Sequence, residues 1–277
     1  MVLGVSAASD PNHLIAMTSS LTISIVSHGH CKLVGALLNQ LITVCCLPNF
    51  SRIVVTLNIP ELEEINDSWF TLPAGIQVLP LKNAKPKGFG ANHNEAFKYC
   101  DTDYFCVLNP DIAFQVDPFP SLLAVLAGHQ VGCAYPVQIN VAGAALDSER
   151  ELTGPWSVIS RHLPFVGERF RSQSLKVQKF GSVPVCWVNG AFMMFKSDVF
   201  RRLGGFDERY FMYCEDVDIC LRLQLAGHTL ARADATVIHD TQRRTLRDFH
   251  HFAWHVRSLF RLWNSRAYRD FKQRFVV

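Results

Sequence analysis

A chain of 277 residues, 49% of them hydrophobic, is long enough to bury a full core, which excludes an intrinsically disordered protein. No apolar run reaches the ~18 residues of a spanning helix, because stretches such as 121–137 are cut by Gly128, His129, Gln130 and Gly132. Net charge is only +3, but residues 241–277 hold nine Lys and Arg against Asp248 and Asp270; that net +7 leaves −4 for the rest and describes a near-neutral body with a basic tail facing something anionic.

Residues 1–20 lack the basic start and long apolar stretch of a secretory signal and read as a flexible leader. Short β-branched runs then recur at 21–27, 52–58, 76–81 and 104–109. Helical character lies between them: Leu33, Leu37, Leu38 and Leu41 are helically spaced in 31–46, and 91–100 follows a Gly-rich turn. Strand and helix therefore alternate as in a parallel α/β sheet of the nucleotide-binding, Rossmann-like class. Such sheets bind ligands beyond the carboxyl ends of their strands, where Ser27, Asn58, residues 88–94 and residues 109–111 fall.

Residues 138–184, with scattered Pro, Gly, Ser and Arg, are expected as loops with a hairpin. Regular structure resumes at 185–195, followed by a short helix at 196–203, a turn at Gly204-Gly205 and the segment 206–227. There Val217, Cys220, Leu221 and Leu225 share a helical face, and Gly227 supplies a stop. A strand at 230–239 closes a body of residues 21–240. In the tail, 241–277, the residues Leu246, Phe249, Ala253, Val256, Phe260 and Trp263 step by three and four while Arg247, Arg257 and Arg261 lie off that stripe. This basic amphipathic helix suits a membrane headgroup layer or a packing face. The nine cysteines form no C-x-x-C pair, sit mostly in apolar stretches and read as reduced, buried thiols of a cytosolic protein.

Four constellations could carry chemistry. Asn109-Pro110-Asp111 ends a buried strand with a carboxylate; it suits a hard cation such as Mg²⁺ or Mn²⁺, and it is also ordinary turn chemistry. Glu215, Asp216 and Asp218 crowd into an apolar stretch, either as dipole complements at a helix start or as a base facing a hydroxyl. Residues 85–94 form a Gly-containing turn into a helix, where backbone N–H groups could approach a diphosphate and Lys87 could add charge. His239 ends a strand, and beside Asp111 it would make half a metal site completed by phosphates and water.

Taken in order, Ile25-Val26-Ser27-His28-Gly29-His30, Gly88-Phe89-Gly90, Leu108-Asn109-Pro110-Asp111-Ile112, Gly205-Phe206-Asp207, Tyr210-Phe211-Met212-Tyr213-Cys214-Glu215-Asp216-Val217-Asp218 and Cys220-Leu221-Arg222-Leu223 carry a resemblance. The chain resembles the family 2 glycosyltransferases of the GT-A fold, and more narrowly the bacterial O-antigen rhamnosyltransferases, over residues 21–263. The resemblance implies an inverting transferase with Asp216 as base, Glu215 as the alternative, and Asp111 and His239 on Mg²⁺ or Mn²⁺. Asn109 stands where the first acid of the family's Asp-x-Asp motif would be. Donor contacts are implied for Ser27, His28, Asn58, Lys87, Gly88, Phe89, Gly90, Asn94 and Asn109; Asn58 falls where relatives hold an acid. The same resemblance implies dTDP-L-rhamnose as donor, an undecaprenyl-diphosphate-linked sugar as acceptor, and a cytoplasmic enzyme peripheral to an anionic membrane surface. A sugar-nucleotide-binding relative without turnover is the alternative. Nucleic acid is not an expected partner, because the positive charge is confined to one terminal helix and no recognition motif accompanies it.

Overall fold

The computed structural model describes residues 20–45, 50–61, 76–150, 152, 185–240 and 249–275. The expected leader, most of the irregular stretch 138–184 and Leu246 lie outside them. One eight-stranded sheet runs in the order β3-β2-β1-β4-β9-β6-β10-β5. Its parallel half comprises β1 (Leu21–Ser27), β2 (Phe50–Leu57), β3 (Gln77–Lys82) and β4 (Tyr104–Leu108). The helices α1 (Cys31–Thr43) and α2 (Phe89–Phe97) belong to this half, close to their expected positions.

Alternation along β1 explains how the sheet is covered. Leu21, Ile23 and Ile25 pack on one side with Val34, Leu37, Leu38 and Leu41 of α1. The intervening Thr22 and Ser24 are buried on the other side, where Thr102 donates to Thr22 Oγ1 at 2.9 Å and Ser24 Oγ meets His93 Nδ1 of α2 at 2.8 Å. Similarly, Cys106 and Leu108 join the first core and Phe105 and Val107 the second. Each face thus receives every second residue of one strand.

The other half is mixed, which departs from the parallel sheet expected. The strand β9 (Phe192–Lys196) lies antiparallel between β4 and β6 (Val131–Ile139), while β10 (Thr229–His239) runs parallel to β6 and holds the two-residue β5 (Ile112–Ala113) antiparallel at the edge. The reversal has a simple cause. The N–H of Asn109 donates to Ala191 O at 2.8 Å, so the chain enters β9 at the carboxyl end of β4 and can only run back. The helix α3 (Phe119–Leu126) and β6 were not anticipated. Of the residues that seemed to interrupt this stretch, Gly128, His129 and Gln130 form the turn between them and Gly132 lies within β6, with Gly128 N–H donating to Val125 O, Val131 N–H to Gly128 O and Thr229 N–H to Gln130 O. A separate antiparallel pair is formed by β7 (Glu149–Arg150) and β8 (Trp187–Val188).

The helix α4 (Ser197–Arg202) leads through the 203–206 turn to α5 (Glu215–Leu225), which is buried on nearly all sides rather than along a single stripe. The tail forms α6 (Phe249–Trp263) and α7 (Arg266–Phe275). Leu262, Ala267, Tyr268 and Phe271 pack with Tyr210, Cys214, Val217 and Leu221, so α5 and both tail helices share a third core. The expected apolar stripe of α6 is corrected here: Ser258 and Leu262 face the body, whereas Ala253 and Phe260 lie on the exposed side. The two faces are separated by less than the spacing suggested, because aromatic residues occupy both. Eight described cysteines are buried thiols.

Phe200 sits at the hub of the second core, with ring centroids of Phe97, Phe105, Phe195 and Phe206 at 4.7, 5.0, 5.1 and 5.6 Å. Phe200→Ala is expected to lose about 3–5 kcal/mol in guanidinium unfolding. A loss below about 1 kcal/mol would mean that this aromatic cluster does not hold the sheet to α4 and α5.

Candidate active site

At the end of β4 the chain turns through Asn109-Pro110-Asp111 into β5, and β5 pairs with the last residues of β10, Ile112 opposite His239. The N–H of Asp240 donates to Asp111 O at 3.2 Å. This short ladder sets Asp111 beside His239, Oδ2 to Nε2 at 3.5 Å. Asp111 Oδ1 is buried and has no hydrogen-bond partner. A buried carboxylate oxygen without a partner, next to an imidazole nitrogen, is the donor set of half a cation site. Among the described residues no group of three or more His, Cys, Asp or Glu could hold a metal ion, so the remaining ligands of such a site would come from substrate and water.

The acidic run lies at the start of α5. Tyr213 and Cys214 precede it with φ of 71° and 67°, two consecutive left-handed residues that are not glycine, at a cost of about 1–2 kcal/mol each. The surroundings hold this loop from two sides. Phe89 N–H donates to Phe211 O at 2.9 Å, and a Cβ on Gly88 would lie 2.7 Å from the same oxygen, so only glycine permits the approach. From α6, Ser258 Oγ donates to Met212 O at 2.8 Å, Tyr213 Oη meets His251 Nδ1 at 2.8 Å, and Trp254 stacks at 4.9 Å on Phe211.

Three acids emerge from this loop with different fates. Asp218 pairs with Arg222 at 2.6 Å, and Arg222 also donates to Leu203 O and Gly205 O, so this acid ties α5 to the preceding turn. Glu215 is buried with Oε2 unpartnered, and burial followed by the neighbouring Asp216 charge drives its pKa well above the carboxylate range. Asp216 keeps partial exposure and accepts N–H bonds from Gly190 at 3.2 Å and Val217 at 2.8 Å. Burial raises its pKa, and those N–H bonds oppose the rise. Partial exposure, and N–H bonds that favour its charged form, suit Asp216 to proton abstraction better than Glu215.

At the carboxyl ends of β1 and β2, Ser27 Oγ donates to Glu61 at 2.5 Å, and the same carboxylate accepts the N–H groups of Gly29 at 3.0 Å and Cys31 at 3.0 Å. Burial would raise the Glu61 pKa, but these bonds outweigh it and lower it. His28 is lowered chiefly by burial and by His30, with His251 of α6 adding to the effect, so α6 lies near this edge too. Asn58, Asn83 and Asn92 form an amide network around the 87–88 turn: Asn58 accepts from Lys87 N–H at 2.8 Å and donates to Lys87 O at 2.9 Å, while Asn92 donates to Gly88 O at 3.0 Å. Lys87 Nζ lies 3.5 Å from Glu95. Asn94 donates to Phe206 O at 2.8 Å and accepts from Phe206 N–H at 2.9 Å. The amides of Asn58 and Asn94, expected as donor contacts, are thus spent on the protein's own backbone and shape the turns around the site.

The segment Asn189-Gly190-Ala191 joins the two acidic regions. Gly190 N–H bonds Asp216, the next residue accepts Asn109 N–H, and Asn189 exchanges amide hydrogen bonds of 2.8 and 3.0 Å with Gln138, whose Oε1 lies 2.9 Å from His239 Nδ1. Glu61, Gln138, Asn189 and the 211–213 grip were not found from sequence. Only the acid of Pro60-Glu61, just past a strand, carried a signal there.

The family model for "Glycosyltransferase like family 2" matches residues 19–263. Rhamnosyltransferase WbbL of Escherichia coli K12 is 31% identical over 63% of this chain and 69% of its own length. An N-acetylglucosaminyl-diphospho-decaprenol L-rhamnosyltransferase of Mycobacterium tuberculosis is 30% identical over 57% of this chain, which spans only 54% of that relative. Among solved structures, GalNAc-T7 with UDP, GalNAc and Mn²⁺ superposes with a TM-score of 0.60 at 15% identity, over 80% of this chain and 43% of that one. The fold is the GT-A type of such transferases.

Because the folded state holds the Glu215 proton more tightly than the unfolded chain does, this group stabilises the fold below the ordinary carboxylate range, near 4.5, and the contribution is lost as pH rises through the folded pKa. Glu215→Gln is expected to melt several degrees above the parent at pH 8, at about 2–4 °C per kcal/mol, with the gap closing towards pH 4.5. Equal melting temperatures across that range would mean Glu215 is not held protonated.

Proposed function

Because the chain belongs to the glycosyltransferase-like family 2 and is therefore a glycosyltransferase, we propose that it moves L-rhamnose from dTDP-L-rhamnose, with inversion, onto a lipid-diphosphate-linked N-acetylglucosamine. The observation that carries the mechanistic part is the 189–191 segment, which bonds Asp216 through one N–H and the end of β4 through the next residue's carbonyl. A base and a candidate cation site are thereby anchored on a single stretch of backbone.

Asp216 takes the proton of the acceptor hydroxyl while that oxygen bonds to the anomeric carbon. The bond from that carbon to the donor's phosphate oxygen breaks, and the nucleoside diphosphate leaves with the electron pair; attack opposite the leaving group inverts the configuration. Asp111 and His239 would hold the divalent cation, which when bound supplies positive charge to the departing diphosphate. Backbone N–H groups of Gly88 and Gly90 and the Lys87 ammonium add to that field, with Ser27, His28, Phe89 and Asn109 lining the donor. Glu61 pins the first loop by its three hydrogen bonds and so positions Ser27.

Both curated relatives named above are rhamnosyltransferases, and the name of the mycobacterial one specifies a sugar diphosphate on decaprenol, which supports the donor sugar and the polyprenol-linked acceptor class proposed here; an undecaprenyl carrier is the member of that class we propose for this chain. A lipid acceptor places the enzyme at the cytoplasmic side of an anionic membrane. Among the described residues no helix is long and apolar enough to cross one. Phe252 and Phe260 are 52% and 61% exposed on the outward face of α6, two turns apart with Val256 between them; Arg257 of the same helix is exposed, and α7 adds the exposed cations Arg266, Arg269, Lys272 and Arg274 to the tail. Apolar rings within a cationic rim fit a headgroup layer of opposite charge.

Two measurements test this reading. Incubation with a panel of sugar nucleotides and synthetic lipid-diphosphate N-acetylglucosamine is expected to yield a mass-shifted lipid with dTDP-L-rhamnose and Mg²⁺ or Mn²⁺, and Asp216→Asn to lower turnover about 10²–10⁴-fold with donor affinity within about threefold. No product with any donor would favour a binding-only relative in which Asn109 has replaced an essential acid. In flotation with vesicles containing phosphatidylglycerol, Phe252→Glu/Phe260→Glu is expected to bind about tenfold less than the parent, and an unchanged bound fraction would sink the membrane assignment.

A further inference from the structure

His239 and Asp111 pose a problem of proton placement that the surrounding amides solve. The imidazole is buried, its Nε2 faces Asp111 Oδ2 at 3.5 Å, and its Nδ1 faces Gln138 Oε1 at 2.9 Å. Which nitrogen carries the proton depends on whether Gln138 presents oxygen or nitrogen, and that choice is forced one residue at a time. Ala191 N–H points at the side chain of Asn189 at 3.2 Å, and a backbone N–H can only donate, so the atom it meets is Asn189 Oδ1. The Asn189 nitrogen is thereby turned to Gln138, at 3.0 Å, and can only donate there, so it meets Gln138 Oε1. The Gln138 nitrogen returns the bond to Asn189 Oδ1 at 2.8 Å, which closes the pair. The atom left facing His239 is an acceptor, so Nδ1 carries a proton, and a ring with one proton leaves Nε2 bare.

We propose that Asn189 and Gln138 are positioning residues that select, for the singly protonated His239 ring, the tautomer whose bare Nε2 faces Asp111, so that in this form the two side chains present only lone pairs to each other across 3.5 Å. That arrangement is repulsive when empty and favourable around a cation; Asp111 Oδ1, buried without a partner, adds a further lone pair to the same side. The relay begins at Ala191, whose carbonyl also accepts Asn109 N–H at the end of β4, and its middle residue is the neighbour of Gly190, which holds Asp216. One tripeptide therefore sets the proton of the cation site and the orientation of the base.

This inference rests on the metal-dependent reading of Asp111 and His239, and the test separates the two. The protein is labelled with ¹⁵N-histidine, and the His239 ring shifts are read at pH 8 in the whole chain, alongside Mn²⁺ binding by electron paramagnetic resonance. In the parent, His239 is expected as the Nδ1-protonated tautomer. Gln138→Leu removes the acceptor and is expected to shift the ring to the other tautomer or a mixture and to weaken Mn²⁺ about 10–100-fold. Gln138→Glu still accepts from Nδ1 and is expected to keep both the tautomer and Mn²⁺ affinity within a few-fold, whereas a merely structural role would make the two variants alike. An Nε2-protonated His239 in the parent, or a Gln138→Leu protein with unchanged ring shifts, overturns the relay whatever the metal does. A parent that shows the expected tautomer yet binds no Mn²⁺ overturns the metal reading and with it the relay's purpose.

Discussion

Two hydrogen bonds made by neighbouring residues, Gly190 N–H to Asp216 and Asn109 N–H to Ala191 O, fix the relation between the helix that brings the acids and the turn after β4 that carries Asp111. Residues 109 and 216 are more than a hundred positions apart, and neither side chain needs to touch the other. The requirement is that β9 enter the sheet at the carboxyl end of β4, because only then does the turn ahead of it pass between the two. The antiparallel insertion of β9 into an otherwise α/β sheet is therefore the topological condition for the site. The fully buried β9 residues Phe192, Met193, Met194 and Phe195 serve both cores and hold that entry point in place.

The loop before α5 shows how strain is carried at such a place. Tyr213 and Cys214 adopt a conformation that asparagine or glycine would adopt more cheaply. The strain persists because each neighbouring residue is held from outside: Phe211 by Trp254 and by Phe89 N–H, Met212 by Ser258, Tyr213 by His251. Burial of Cys214 within the third core, alongside Leu262 and Phe271, adds apolar contact at the strained position itself. The tail helices thus belong to the site's support, which explains why they pack on the body with their inner face while leaving Phe252 and Phe260 outside.

Much of the architecture was legible because its residues obey short-range periodicities. The strands at 21–27 and 104–108 and the helix at 31–43 combine β-branched or leucine patterns with burial on the expected faces, and the boundaries agree within a few residues. The stretch 119–139 escaped detection for a physical reason. Gly128, His129, Gln130 and Gly132 look like breaks in an apolar run, yet the first three are the turn that separates a buried helix from a buried strand, and Gly132 lies in that strand. The pattern of α6 was misread because its two faces differ in packing rather than in polarity: Trp254 and Leu262 look much like Phe252 and Phe260 in sequence. The acids at 111 and 216 stood out locally as charge within apolar surroundings. Gln138 and Asn189 could not, since an amide gains its meaning here only from a partner 51 positions away.

The Asn109 amide, at the position where the resemblance implies an acid, acquires a structural context from the same contacts. A cation held by Asp111 and His239 would have one formal negative charge from the protein, against two for a pair of carboxylates, so a larger part of its stabilisation must come from the diphosphate. Such a site would hold metal weakly before the donor arrives and firmly with it, which makes metal and donor binding mutually reinforcing. A His239 ring with its Nε2 lone pair aimed at Asp111 suits this regime. It would add directional ligation without a formal negative charge, and its orientation is maintained by amides that do not titrate and do not themselves attract ions. The carboxylate that remains is poorly hydrogen-bonded by the protein, and an oxygen that gains little from its surroundings has the most to gain from a cation delivered with substrate.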